Sequence, residues 1–206
     1  GYGFYGGIKR AYSKPSTIEV INSENFVYEI LHPKKSQNIL WSGCIFKREI
    51  VLKNNGFPDY GSPHLADHLM IVVTGAENGG VIINKQFSSL SHHEGNFSKS
   101  NLDLYFIGCK KFYEIITNLY PESYYTKNGV NSLKLHLNHW FIGTMFNLKN
   151  YYTFHINDKD NVQKVNLLSK KILSLNFMKE ARMLYLIKDI KYRIKINIFK
   201  LTSIKI

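Results

Sequence analysis

The sequence predicts an α/β domain followed by a mostly helical, basic extension, and three observations lead there. Over the first hundred residues, short apolar runs alternate with glycine, proline and serine clusters, the punctuation of strands and helices joined by turns. After Asn101 that punctuation thins, and apolar residues recur at helical spacing. Charge then gathers at the end: eleven basic residues and two acids lie between Asn161 and Ile206, so the tail carries +9 of the formal +12. The boundary is expected near Ser100, which gives parts 1–100 and 101–206.

Taken in order, YGFYGGI reads as a strand with glycines, and NILWSGCIF (Asn38 to Phe46) as a strand running into a Ser-Gly turn. KREIVLKNNGF is a short amphipathic helix stopped at Asn55-Gly56, and FPDYGSPH is a loop. LADHLMIVVTGAENGG predicts a helix from Leu65 or Ala66 to Gly79-Gly80, because Ala66, Leu69, Met70 and Val73 recur at helical spacing in spite of the β-branched run. GVIINKQF is a strand and SSLSHHEGNFSKS a polar loop. Leu102 to Tyr120 and Ser132 to Leu148 are expected helices on either side of a turn region from Pro121 to Gly129. Asn161 to Lys191 continues helical, with Val165, Leu168, Ile172, Leu175 and Met178 on one face. In the closing RIKINIFKLTSIKI, Ile194, Ile196 and Ile198 alternate at a strand period that shifts at Phe199.

Composition narrows the class. With 206 residues, 44% of them apolar, the chain has enough to bury a sizeable core and is no disordered protein. Cys44 and Cys109 stand far apart without zinc-knuckle spacing, which favours a reducing compartment over a disulfide framework. No run approaches the ~18 consecutive apolar residues of a spanning helix, and no signal peptide opens the chain, so a soluble or peripheral protein is expected. The chain begins at Gly1, within the first strand, and a fragment is expected. A basic surface attracts phosphates on nucleic acid, lipid headgroups or nucleotides.

Candidate chemistry collects in the first half, at His64, Asp67, His68, His92 and His93. An aspartate buried without a partner costs several kcal/mol, so Asp67, between two histidines at the head of an apolar run, is either paired or exposed for a purpose. His64 and His68 have the i, i+4 spacing of a metal pair, but no Glu follows the first histidine and the metalloprotease pattern fails. The plain alternative leaves His64 in the loop and His68 exposed. His136 and His139 sit in a leucine-rich helix, facing solvent or satisfied by a hydrogen bond.

The succession of the YGG strand, WSGCIFKREIVLKNNGFPD, LADHLMI, GGVIINKQF and HHEGNFS, from about Tyr5 to Ser98, resembles the C-terminal part of inverting glycosyltransferases of family 2, which adopt the GT-A fold. The resemblance implies a mixed sheet with flanking helices and an enzyme. That enzyme moves a sugar from a nucleotide-sugar donor to a hydroxyl of a saccharide or lipid-linked acceptor, in bacterial surface polysaccharide or glycolipid synthesis. It carries the catalytic base onto Asp67, which would take the acceptor proton. An acid is favoured at a helix N-terminus, and Asp67 could equally serve there as a helix cap. His93 matches the histidine that coordinates a divalent cation, Mn²⁺ or Mg²⁺. Ser91 stands where relatives often carry Arg. Trp41, Ser42 and Gly43 would form part of the cleft wall, with His68 beside the substrate. The family's nucleotide-binding half and its Asp-x-Asp motif are expected upstream of YGFYGGI; Asp158-Lys159-Asp160 has the letters but stands in a polar turn.

Two other classes compete. A nucleic-acid-binding protein would use the +9 tail with its interleaved Tyr and Phe, although no recognition motif supports it. A catalytically inactive relative would serve as a scaffold. The Lys-rich amphipathic tail also suits an anionic membrane surface, which would set the enzyme in the cytoplasm at the inner face of the plasma membrane. The alternative is a helix packed on its domain with its lysines in water.

Overall fold

The computed structural model describes residues 1, 4–8, 17–33, 39–56, 58–83 and 101–203, with the backbone alone at 4–8, 39–42 and 199–203. The chain divides into two compact units, Gly1–Leu137 and Asn138–Ile206. The expected boundary at Ser100 lies outside the described residues.

The first unit is built on a small mixed sheet. Strands β1 (Phe4–Ile8), β2 (Ile18–Ile21), β3 (Ile39–Phe46) and β4 (Gly80–Ile83) lie in the order β2-β4-β1-β3. β1 runs parallel to β4, with Gly6 opposite Ile82, and antiparallel to β3, with Gly6 opposite Cys44. β2 closes the other edge antiparallel to β4, Val20 opposite Val81. β3 continues through Ser42-Gly43 instead of turning there. The pairing with β1 is irregular at that point: the register shifts between the Gly6–Cys44 and Ile8–Ile39 pairs, so Ser42-Gly43 marks a bulge inside the strand and not its end.

β2 leads into α1 (Ser23–Leu31), whose cap Asn22 accepts a hydrogen bond from the Asn25 N–H at 3.1 Å. Its buried residues Phe26, Val27, Ile30 and Leu31 form one stripe at helical spacing. The short α2 (Arg48–Lys53) stops at Asn55 and Gly56, both with positive φ, as expected for a helix C-terminus. α3 (Ala66–Asn78) buries every residue from Leu69 to Gly75. A helix apolar all round is held by what surrounds it, which is how Ile71-Val72-Val73 stay helical against their β propensity. α1 crosses α3 at Gly75, where a Cβ would stand 2.1 Å from the Phe26 ring. Gly79 ends α3 at φ +73°, donating its N–H to Gly75 O at 2.7 Å, and the chain enters β4 at once.

α4 (Asp103–Leu119) buries Tyr105, Gly108, Cys109, Phe112 and Ile116 along one face. The expected turn region holds a 3₁₀ turn, Glu122–Tyr124, and a two-residue hairpin of β5 (Thr126–Lys127) and β6 (Val130–Asn131). Asn128 and Gly129 make its turn with positive φ, the geometry that asparagine and glycine tolerate best. Within the first unit, the opening turns of α5 (Ser132–Asn150) bury Leu133, His136 and Leu137.

The second unit contains the rest of α5, a π-helical turn Tyr151–His155, α6 (Lys159–Leu173) and α7 (Ala181–Ser203). The tail is not one helix from Asn161 to Lys191: α6 ends at Leu173, and a 3₁₀ turn, Asn176–Met178, separates it from α7. Nor do the closing isoleucines form a strand. Ile194 and Ile198 are also i, i+4, so the same letters fit a helical face, and α7 runs on to Ser203. Asp158 is the cap of α6, accepting from the Asn161 N–H at 2.9 Å and the Asn161 amide at 2.7 Å, which accounts for the Asp-Lys-Asp letters without a metal.

A buried ion pair marks this unit. Lys149, 1% exposed, donates to Asp189 Oδ1 at 2.7 Å, and the exposed Arg193 holds Asp189 Oδ2 at 2.9 Å. The Lys149 ammonium also lies 4.8 Å from the ring centres of both Phe146 and Tyr185. Its two cations hold the Asp189 carboxyl below the usual carboxylate range against the opposing effect of burial.

Candidate functional site

The candidate site forms where the loop after α2 meets the first turn of α3. The loop is fastened to α4: Ser62 Oγ donates to Leu104 O at 2.8 Å and accepts from the His64 N–H at 3.1 Å. Gly108 permits this approach, since a Cβ there would meet His64 O at 2.7 Å and Ser62 Oγ at 2.9 Å. Tyr60 OH donates to His64 O at 2.5 Å, and the His64 ring stacks on Tyr105 at 3.6 Å between centres. The chain then passes through Leu65 at φ +66° before α3 begins. For a leucine this left-handed backbone costs about 1–2 kcal/mol, and such strain gathers at functional positions.

Asp67 follows in the first turn of α3, its side chain 41% exposed. Its Oδ1 accepts from the His68 N–H at 2.9 Å, and the His68 ring Nε2 stands 4.0 Å away. Among the described residues no lysine or arginine bridges this carboxylate. Its negative charge is felt by three side chains. Burial, then Asp67, pushes the Cys44 thiol up to about 12. The same two causes raise the Tyr60 phenol above its ordinary range. Burial pushes the His64 imidazole down to about 4, with Asp67 offsetting part of the effect. At neutral pH the carboxylate therefore stands among a neutral thiol, a neutral phenol and a neutral imidazole.

His68 has a partner of its own, with Nδ1 lying 3.0 Å from His136 Nε2. One of these nitrogens must be bare to accept the proton of the other, which fixes complementary tautomers. His136 is 3% exposed and packs 5.6 Å from the Phe112 ring. The i, i+4 pairing of His64 with His68 does not form: one ring stacks on Tyr105 and the other turns to His136. His136 could have been singled out in the sequence by its spacing, since a histidine at i, i+3 from Leu133 and just before Leu137 falls on the buried face of α5 and needs a hydrogen-bonding partner. No signal in the sequence points to Tyr60 or Cys44.

Trp41, Ser42 and Gly43 lie along β3, an edge strand, and Gly43 is half-buried; the side chains of Trp41 and Ser42 lie outside the described residues. His92 and His93 also lie outside them. Among the described residues no three His, Cys, Asp or Glu side chains gather to hold a metal. Among the same residues no helix is long and apolar enough to cross a membrane. No family model, no curated protein and no solved structure matches this chain.

Proposed function

We propose that this chain is the catalytic, acceptor-side part of an inverting glycosyltransferase of GT-A type, with Asp67 as general base. The observation that carries the reading is a carboxylate 41% exposed on the first turn of α3, just ahead of the buried run from Leu69 to Gly75, bridged by no lysine or arginine among the described residues. Asp67 accepts from the His68 N–H of the first turn, a single bond that orients the carboxylate and leaves it lone pairs with which to take a further proton. The order of β1, antiparallel β3, α2, the Pro-Gly loop, α3 opening on an acid, and β4 parallel to β1 supports the fold reading.

In the proposed reaction an acceptor hydroxyl attacks the anomeric carbon of the donor as the carbon–oxygen bond to the nucleoside diphosphate breaks on the opposite face. Asp67 takes the hydroxyl proton, so no alkoxide or oxonium has to form. His68, its ring fixed by His136, stands next to the carboxylate as a hydrogen-bonding group for the acceptor. The strained backbone at Leu65 and the clamp of the loop on α4 hold the base in one position. Nucleotide-sugar donors with saccharide or lipid-linked acceptors place this chemistry in the cytoplasm, in the building of bacterial surface polysaccharide or glycolipid. His93 remains the proposed ligand of a divalent cation on the diphosphate.

The test is Asp67→Asn in the full polypeptide as encoded, supplied with Mn²⁺, UDP-glucose, UDP-galactose, UDP-N-acetylglucosamine or GDP-mannose, and a mixture of saccharide acceptors. Release of nucleoside diphosphate is expected to fall by about 100- to 10,000-fold, while calorimetric affinity for the donor stays within about two-fold. Retained turnover, or loss of donor binding alone, rejects the assignment.

A further inference from the structure

The outward face of the last helix carries an apolar stripe with no counterpart in the core. α7 exposes Met183 at 65%, Leu184 and Leu186 at 55%, Ile187 at 47%, Ile190 at 52% and Ile194 at 54%. At 3.6 residues per turn these six share one arc of roughly 160°, while Ala181 and Tyr192 on the other side are buried. Single exposed apolar residues are ordinary, but a contiguous stripe of this length marks a contact surface. Exposed cations border it on both sides, with Lys188 and Lys195 along one edge and Arg182 and Arg193 along the other, while Lys191 stands just inside the first edge beside Leu184. Asp189, the acid of this helix, points inward to Lys149. Lys188 and Lys195 rest over the Phe146 and Phe154 rings at 5.3 and 4.6 Å, contacts that leave their charge in place.

We propose that this face of α7 lies in the plane of an anionic lipid membrane, with the six apolar side chains at the acyl boundary and the bordering cations among the headgroup phosphates. A helix with an apolar stripe between two cationic edges is built to lie in that interface, and lysine stems bury along it while the ammonium reaches outward. Charge argues against a second copy of the chain as the occupant: α7 against α7 in either direction sets one cationic edge against another. Nucleic acid would engage the cations and leave the apolar stripe in water. The inference goes beyond the transferase reading and needs no reaction, so the two can fail separately.

The experiment is flotation of the full chain with vesicles of phosphatidylcholine alone and of phosphatidylcholine with about 30% phosphatidylglycerol. Binding is expected to the second and to be weak with the first. Replacing Lys188, Lys191 and Lys195 together by Gln is expected to lower partitioning to anionic vesicles on the order of 100-fold, about five-fold per charge. Replacing Ile187, Ile190 and Ile194 together by Glu is expected to abolish it, and circular dichroism should show the fold intact because all three are exposed. If the Glu variant fails to fold, the Gln variant decides. Absent or equal binding to the two vesicle types overturns the proposal. So does undiminished binding by either folded variant, a dimer in sedimentation equilibrium that the Glu variant breaks, or tighter binding to a DNA duplex than to anionic vesicles.

Discussion

His64 shows how one buried side chain couples the site to pH. Its imidazole is pushed down to about 4, chiefly by burial, whereas in the unfolded chain it titrates near 6.5. Between those values the unfolded chain binds the proton and the folded one does not, so stability rises with pH across that window and is flat above it. Urea midpoints are expected to fall as pH drops from about 6.5 to about 4, and His64→Phe, which keeps a ring against Tyr105, should flatten that part of the profile. An unchanged profile in the variant would refute the assignment. At this scale the sequence was partly legible. Asp67 sits in the first turn of its helix as its spacing predicts. The partner of His68, however, lies 68 residues away, a pairing that only the packing of α5 creates and that no local pattern encodes.

Helices are legible in the sequence wherever one stripe repeats at helical spacing, as in α4 and α6, because that period is imposed by a buried face. The strand and helix from Ile18 to Leu31 leave little trace in the sequence. β2 is an edge strand with three of its four residues exposed, and α1 offers only nine residues, too few for a strong pattern. The break between α6 and α7 was equally hidden, because Val165, Leu168, Ile172 and Met178 are buried as if on one continuous face. Two helical glycines give a sharp contrast at this scale. At Gly75 a methyl would collide with Phe26, whereas at Gly143 it would meet nothing within 4 Å. Gly75→Ala is expected to destabilise by about 1–3 kcal/mol through overpacking, and Gly143→Ala to stabilise by about 0.4–1 kcal/mol through helix propensity and a less free unfolded chain. Chemical denaturation of both variants checks the pair, and equal shifts would contradict the packing of α1 on α3.

Across the whole molecule, the charge of +12 opposes compaction, since like charges are closer in the folded chain than in the unfolded one. Raising NaCl from about 20 to about 200 mM shortens the Debye length from roughly 20 Å to 7 Å and is expected to raise the melting temperature by a few degrees. A melting temperature that falls with salt would show attractive pairs to dominate instead. Mixed α/β character and the helical tail were visible from composition and punctuation; the compact units were not, because what closes them is long-range packing. The Lys149–Asp189 pair bears on this larger scale too. Turning α7 about its axis by a single residue would carry the carboxylate some 100° away from an ammonium that water barely reaches. One inward charge thus indexes the whole helix, and which side chains α7 shows to its surroundings is decided from the inside.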